Sequence, residues 1–146
     1  GCGLRGCLER YSAGTALGVN GWELAQFRPA YAARIIELSG GNPEHISGKA
    51  VTAAAREGDP AALECYEQLT HWLGVGLADM CALLDPEVIV IAGGLAEAGD
   101  ILLTPARKAF TANLTAGTYR PAIPVVLAEG GQEAGLVGAA DLARQP

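Results

Sequence analysis

The apolar positions recur at helical spacing over most of the first 84 residues. Between Asp59-Pro60 and Asp85-Pro86 they form one long stripe, which predicts a helix over about 60–84. Aspartate followed by proline is a helix start, and the second proline disfavours helical geometry in the residue before it. The stripe is predicted to face the core, and its members are Ala62, Tyr66, Leu69, Leu73, Leu77, Met80 and Leu84.

The residues before this long helix are predicted to form shorter helices. Helical spacing over 7–38 is interrupted four times, which favours two or three short helices over one rod. A turn-rich loop over 39–48 follows, and then a helix over about 49–57 that Gly58 stops. The four interruptions are Gly14, Gly18, Gly21 and Pro29.

The pattern changes after residue 86. Val88 to Ile91 are four β-branched residues with no polar alternation, which predicts a buried, parallel strand. A helix over about 100–114, a second buried strand over 123–129 and a final helix within 130–143 follow. The order strand, helix, strand, helix behind a helical block predicts an α/β fold.

Length and composition set the class of protein. The 146 residues suffice for one domain, 1–146, with a helical block over about 7–84 and a βαβα unit over about 87–144. The net charge of −6 argues against nucleic-acid binding by this segment, and no apolar stretch is long enough to span a membrane. Four cysteines are too few for a disulfide scaffold, so a reducing, cytoplasmic setting is expected.

Glycine pairs follow both predicted strands. Gly93-Gly94 and Gly130-Gly131 fall at the carboxyl edge of the sheet, where glycines let a ligand approach the backbone. The alternative for each pair is a tight turn without a ligand. Gly74 and Gly76 lie inside the long helix, and they indicate close approach of either another element or a ligand.

The first nine residues, GCGLRGCLE, carry the candidate metal chemistry. Cys2 and Cys7 lie five apart among glycines, but a structural zinc ion needs four ligands and this motif offers two. Glu9 follows two residues later. Its simplest role is that of an acid at the start of a helix, where the helix dipole favours it.

Other residues of suitable type have simpler roles. Cys65 and Cys81 lie within the long helix and are predicted to pack in the core, whereas His45 and His71 are poor zinc ligands in a loop and a helix. No catalytic residue is assigned, because no recognisable base motif is present; Asp100 is expected to cap a helix. The acids considered are Asp79, Asp85 and Asp100.

A family resemblance joins these features. CGLRGCLE followed by RYSAG resembles the C-x-C-G-x-x-G-C-x-E signature of the ROK family of sugar kinases and repressors. The stretches WLGVGLADMCALLDPEVIVIAGGL, YRP and EAGLVGAADLA are similar to those of actinobacterial glucokinases in this family. The resemblance covers essentially the whole chain. It implies part of the larger domain of the actin-like ATPase (ribonuclease H-like) fold.

The resemblance also implies roles for the candidate residues. Cys2 and Cys7 would be two of the three cysteines that bind structural Zn²⁺ with one histidine, the other two ligands preceding Gly1. The chain is then expected to begin inside the zinc motif, as the C-terminal portion of a longer kinase. Glu9 would accept hydrogen bonds from sugar hydroxyls, and Gly93 and Gly94 would line the adenosine site.

The implied activity is an ATP- and Mg²⁺-dependent glucokinase that phosphorylates O6 of glucose. Its catalytic aspartate would precede this segment, so the segment alone is expected to be inactive, and a homodimer or homotetramer is expected. Two alternatives remain open: the sugar-sensing half of a ROK repressor, and a dimerisation module. The module would be supported by exposure among Trp22, Phe27 and Tyr31. The sugar and the phosphoryl donor, ATP or polyphosphate, also remain open.

Overall fold

The computed structural model describes residues 3–117, 119, 123–129 and 133–144. Within these ranges five α-helices come first: α1 (Glu9–Ser12), α2 (Gly14–Phe27), α3 (Ala33–Leu38), α4 (Gly48–Arg56) and α5 (Pro60–Leu84). They are followed by β1 (Ile89–Ile91), α6 (Asp100–Asn113), β2 (Val125–Leu127) and α7 (Ala134–Leu142). Two short 3₁₀ helices cover Pro43–His45 and Gly94–Ala98. The described chain is therefore mostly helical, with a small parallel sheet.

Helix α5 has the predicted ends. The side chain of Asp59 accepts a hydrogen bond from the backbone N–H of Ala62 at 2.9 Å, and Pro60 occupies the first turn. At the other end Asp85 adopts a left-handed conformation with φ 46°, next to Pro86. The prediction of a helix over 60–84 is confirmed.

The last turns of α5 bury only part of the predicted stripe. Met80 is 41% exposed and Leu84 is 75% exposed, so their assignment to the core is wrong. Of the stripe these turns bury Leu77, together with Ala78 and Cys81, because α6 and the sheet cover that side of the helix. Helical spacing identifies an apolar face but does not say which part of it a neighbour covers.

The short helices before α5 partly follow the prediction. Ser47 caps α4, and Gly58 ends it with a φ of 81°, which confirms a helix at about 49–57. Helix α2, however, continues through Gly18 and Gly21 without a break. An added Cβ on Gly21 would lie 2.7 Å from Cγ2 of Val51 on α4. These glycines therefore admit a neighbouring helix at close range, which offsets their low helix propensity.

The two strands are parallel, with Ile89, Val90 and Ile91 opposite Val125, Val126 and Leu127. Ile89 and Ile91 pack against the apolar cluster of α5 and α6. Val90 points to the other face and is 56% exposed, so the prediction of a strand buried on both faces is wrong. Alternate side chains of a strand face opposite sides, and among the described residues helices cover one side only.

Two apolar clusters form the core. The larger joins α2 to α5 and includes Leu17, Ile35, Val51, Tyr66 and Leu69, all with at most 1% exposure. The second lies between α5, α6 and the sheet. None of the helices in the described ranges combines the length and apolarity that crossing a bilayer would require.

Candidate functional site

An open cleft of about 1390 Å³ lies between three parts of the chain. One wall is the stretch from Glu9 through the first turns of α2, the second is the loop and helix around α4, and the third is the turn after β1. This volume exceeds the roughly 300–1,000 Å³ of common small-molecule pockets. The cleft is therefore large enough for two small molecules side by side.

Glu9 lies on the edge of this cleft, as the first residue of α1. Its side chain is exposed, and no hydrogen bond or ion pair joins its carboxylate to another described residue. The position suits an acid at a helix start, as predicted from the helix dipole. It equally leaves two acceptor oxygens directed at solvent in the cleft, so both interpretations of Glu9 are compatible with its place.

Leu8 fixes the backbone next to Glu9 by packing on α5. An added Cβ on Gly76 would lie 2.8 Å from Cδ1 of Leu8, so the missing side chain of Gly76 is what admits Leu8. Gly74 likewise admits α6 at close range, because an added Cβ there would lie 2.6 Å from the backbone nitrogen of Phe110. Both glycines serve packing, and neither lines the cleft. The alternative that a ligand approaches them is therefore not supported.

Gly93 and Gly94 connect β1 to the Gly94–Ala98 3₁₀ helix. Gly93 has a φ of 87°, which side chains rarely adopt, and Gly94 lines the cleft. An added Cβ at either residue would meet no heavy atom within 4 Å. Their backbone is therefore open to approach by a ligand, although a tight turn also explains the φ of Gly93. The second glycine pair, Gly130-Gly131, lies outside the described residues.

One face of α4 forms the second wall of the cleft. Lys49, Thr52 and Arg56 line it at spacings of three and four residues, while Val51, Ala54 and Ala55 on the opposite side are buried. Sequence reasoning missed these three residues. The available signal was the recurrence of polar residues at helical spacing opposite an apolar face.

Three hydrogen bonds hold Arg56 and Thr52 of α4 in place. The guanidinium of Arg56 donates to the backbone carbonyl of Glu97 at 2.9 Å, and so joins α4 to the 3₁₀ helix after the glycine pair. The hydroxyl of Thr52 donates to the carbonyl of Gly48 at 2.7 Å and lies 2.8 Å from the hydroxyl of Tyr66. Burial raises the pKa of Tyr66, against smaller lowering effects of its Thr52 hydrogen bond and of Arg56.

The three aromatic residues considered for an interface lie in different surroundings. Trp22 lines the cleft, where its indole N–H donates to the carboxylate of Glu44 at 3.1 Å. Tyr31 is half-buried beneath the guanidinium of Arg28, which lies 3.9 Å from the ring centroid. Phe27 is 83% exposed and Trp22 is 38% exposed, so two of the three have surface that an interface could use.

The predicted metal ligands are only partly described. Cys7 is half-buried, and Cys2 lies outside the described residues. A thiolate is a suitable donor for zinc, but Cys7 alone does not make a four-ligand site. Within the described ranges no group of three His, Cys, Asp or Glu residues could hold a metal ion. His45 and His71 are exposed, consistent with ordinary surface roles.

The remaining cysteines and acids have structural positions. Cys65 and Cys81 are buried as predicted, and burial raises the pKa of the Cys65 thiol to about 12. Asp100 is the first residue of α6 and not its N-cap, which is a correction. Gly99 occupies the cap with a φ of 59°, a conformation that favours glycine over aspartate. None of Asp79, Asp85 and Asp100 lines the cleft.

Comparison with known proteins finds sugar kinases that are similar to this chain. A glucokinase of Streptomyces coelicolor is 44% identical over 146 residues, which is 100% of this chain and 46% of that protein. An N-acetylmannosamine kinase of Yersinia pestis is 32% identical over 148 residues, covering 99% of this chain and 42% of that protein. The chain thus spans less than half the length of these relatives.

A solved structure agrees with these relatives. The crystal structure of a ROK family glucokinase from Streptomyces griseus in complex with glucose and AMPPNP superposes with a TM-score of 0.94 and 43% identity. The match covers 99% of this chain and 46% of that one. The ROK family profile itself matches residues 1–146. The chain therefore belongs to the ROK family.

Proposed function

We propose that this chain is the C-terminal portion of an ATP-dependent glucokinase, and part of the larger domain of its actin-like ATPase fold. The intact enzyme transfers the γ-phosphate of ATP to O6 of glucose in the cytoplasm. The observation that carries the proposal is the cleft that Glu9 and Gly94 share. The resemblance to the Streptomyces griseus glucokinase, solved with glucose and AMPPNP, supports the same pair of ligands.

Glu9 is proposed to hold the sugar. Its carboxylate carries two acceptor oxygens and no donor, so it accepts hydrogen bonds from neighbouring hydroxyls of the hexose and orients the ring. Leu8 anchors the adjoining backbone on α5, which keeps the carboxylate at the cleft edge. We propose that from this position the carboxylate directs O6 toward the phosphate.

Gly93 and Gly94 are proposed to receive the nucleoside against their backbone. In the transfer, an oxygen–phosphorus bond forms between O6 and the γ-phosphorus, and the bond from that phosphorus to the β,γ-bridging oxygen breaks, which releases ADP. The proton of the hydroxyl passes to an aspartate outside this chain. Mg²⁺ neutralises phosphate charge in such reactions, and no residue here is assigned to it. Cys2 and Cys7 are proposed to supply two of four zinc ligands in the intact protein.

The test is a kinase assay of the full-length protein that contains this segment. Glucose, mannose and N-acetylmannosamine are offered with ATP or with polyphosphate, and the phosphorylated position is read by NMR. The proposal predicts ATP-dependent turnover with glucose preferred and phosphate on O6. Turnover with polyphosphate alone, or sugar binding without any turnover as in a repressor, would contradict it.

The isolated 146-residue chain is predicted to be inactive. It contains the proposed sugar glutamate and the glycine pair, but no acid that lines the cleft belongs to a recognisable catalytic-base motif. The assay uses chain purified from a host that lacks hexose kinases, with the full-length protein as the positive control. ATP-dependent formation of glucose 6-phosphate by the isolated chain would refute this prediction.

The intact protein is also proposed to be a homodimer or homotetramer. The 83% exposure of Phe27 supports an interface on the helical block. Light scattering of the full-length protein measures the assembly, and the Phe27→Ser variant is expected to shift it toward monomer. A monomeric wild-type protein would exclude the proposal.

A further inference from the structure

We propose that Thr52 selects the purine base of the nucleotide, by accepting a hydrogen bond from the 6-amino group of adenine. This inference rests on the proposed function, because it assigns the nucleoside to the part of the cleft beside Gly94. It concerns a residue on α4, far from the strand and glycine pair along the chain. The role of Thr52 depends on where the single proton of its hydroxyl goes.

The hydroxyl of Thr52 has one proton and two lone pairs. The proton is committed to the carbonyl of Gly48, since the two oxygens lie 2.7 Å apart and a carbonyl donates nothing. The Tyr66 hydroxyl lies 2.8 Å away and must therefore be the donor of its contact with Thr52. Tyr66 is 1% exposed, and its pKa is raised by burial, so it keeps its proton at neutral pH.

One lone pair of Thr52 is left without a partner among these contacts. Thr52 lines the cleft, so this fixed hydroxyl offers the cleft an acceptor and no donor. The other two polar side chains on the same face, Lys49 and Arg56, are cations that only donate. Within this face of α4, Thr52 is thus the side chain that distinguishes an N–H donor from an oxygen acceptor on a ligand.

The position of Thr52 suits the edge of a base that lies on the glycine pair. Arg56 joins α4 to the carbonyl of Glu97, three residues after Gly94. Thr52 lies four residues before Arg56 on the same face, about 6 Å along the axis. Gly94 and Leu95 line the cleft with Thr52. Because Gly94 and Thr52 line the same cleft, we place a purine on the backbone of Gly94 with its edge toward this turn of α4.

Adenine and hypoxanthine differ in the group that would face Thr52. Adenine carries an amino donor at position 6, whereas hypoxanthine, the base of inosine triphosphate (ITP), carries an oxygen acceptor. If the hypoxanthine oxygen faces the fixed lone pair of Thr52, both oxygens are acceptors and neither gains a hydrogen bond. A site with such a mismatch discriminates strongly between the two bases. ATP is expected to bind about tenfold or more tightly than ITP.

The test measures the dissociation constants of ATP and ITP by calorimetry on the full-length protein, without sugar. Thr52→Val removes the acceptor but leaves the Tyr66 hydroxyl unpaired. The double variant Thr52→Val, Tyr66→Phe is therefore measured beside it, because the double change replaces both polar partners by apolar groups of similar shape. Thr52→Ser keeps the hydroxyl. The ATP preference should survive in Thr52→Ser and Tyr66→Phe, and fall to within about twofold in both variants that carry valine.

The outcomes separate this inference from the proposed function. Equal binding of ATP and ITP by the wild type, or a preference that persists in the double variant, overturns the role of Thr52 while hexose phosphorylation continues. A protein that prefers ATP through Thr52 but phosphorylates no hexose supports Thr52 and contradicts the kinase proposal. Failure to bind either nucleotide overturns both.

Discussion

At Gly94 an added Cβ would meet no heavy atom within 4 Å, and the residue does not have a positive φ. Gly94→Ala should therefore leave the melting temperature nearly unchanged. If the nucleoside lies on this backbone, the methyl group overpacks the complex, which costs about 1–3 kcal/mol. We expect the apparent KM for ATP to rise about tenfold with little change in the KM for glucose. Unaltered ATP kinetics would favour the tight-turn interpretation of the glycine pair.

The thiol of Cys65 makes stability depend on pH in the alkaline range. Its pKa is raised from 9.0 to about 12, first by burial and then by the charges of Glu64 and Asp59. The unfolded chain therefore loses this proton near pH 9 while the folded protein keeps it, and stability falls as the pH rises from about 9 to 12.

We expect this fall to be as steep as about 1.4 kcal/mol per pH unit for this one group. Denaturant unfolding of wild type and Cys65→Ala at pH 8 and pH 10.5 measures it. The difference in the free energy of unfolding between the two proteins should shrink at the higher pH. An unchanged difference would show that Cys65 ionises equally in both states.

Residues whose environment is local could be predicted from the sequence. Asp59 caps α5 by accepting a hydrogen bond from the backbone N–H of Ala62, and the Asp-Pro pair in the sequence predicts this cap. Thr52 could not be predicted, because its partner Tyr66 lies on another helix and its cleft is completed by Gly94. The proton arrangement that gives Thr52 its proposed role exists only once these elements are packed.

The contact between α5 and α6 depends on Gly74. An added Cβ there would meet the side chain of Ala109 and lie 2.6 Å from the backbone nitrogen of Phe110. Gly74→Ala should lower the free energy of unfolding by about 1–3 kcal/mol, because backbone must move. Gly135→Ala on α7 is the matched control: its Cβ meets nothing within 4 Å, so the change should stabilise by about 0.5–1 kcal/mol. Thermal or denaturant unfolding compares the two, and a stable Gly74→Ala variant would contradict this packing.

At the scale of elements, the periodic pattern predicted the positions of the helices well. It predicted less well which of their faces neighbouring elements cover. The ends of α5 were predictable, since both carry proline signals. The exposure of Met80 and Val90 was not predictable, because an apolar side chain favours burial but does not determine which element covers it. Gly18 and Gly21 were misread as breaks for the same reason: their effect depends on α4, which packs against them.

The cleft is a property of the whole molecule, since its walls come from segments far apart in the chain. Leu8 packs on α5 and so positions Glu9 at the cleft, whereas the glycine pair is positioned by β1, which directly precedes it. Arg56 and Glu97, 41 residues apart, join the second and third walls. Sequence motifs predicted Glu9 and Gly94 separately, but only the packed fold brings them to one cavity.

The most direct test of the account is the kinetic effect of Glu9→Ala in the full-length protein. Hydrogen bonds to a charged group contribute about 1.5–3 kcal/mol, so the apparent KM for glucose should rise about tenfold or more while that for ATP stays within about twofold. Glu23→Ala, an exposed acid on α2 away from the cleft, is the control and should change neither. Equal effects on both substrates, or none, would contradict the account and leave Glu9 as an acid that serves only the helix dipole.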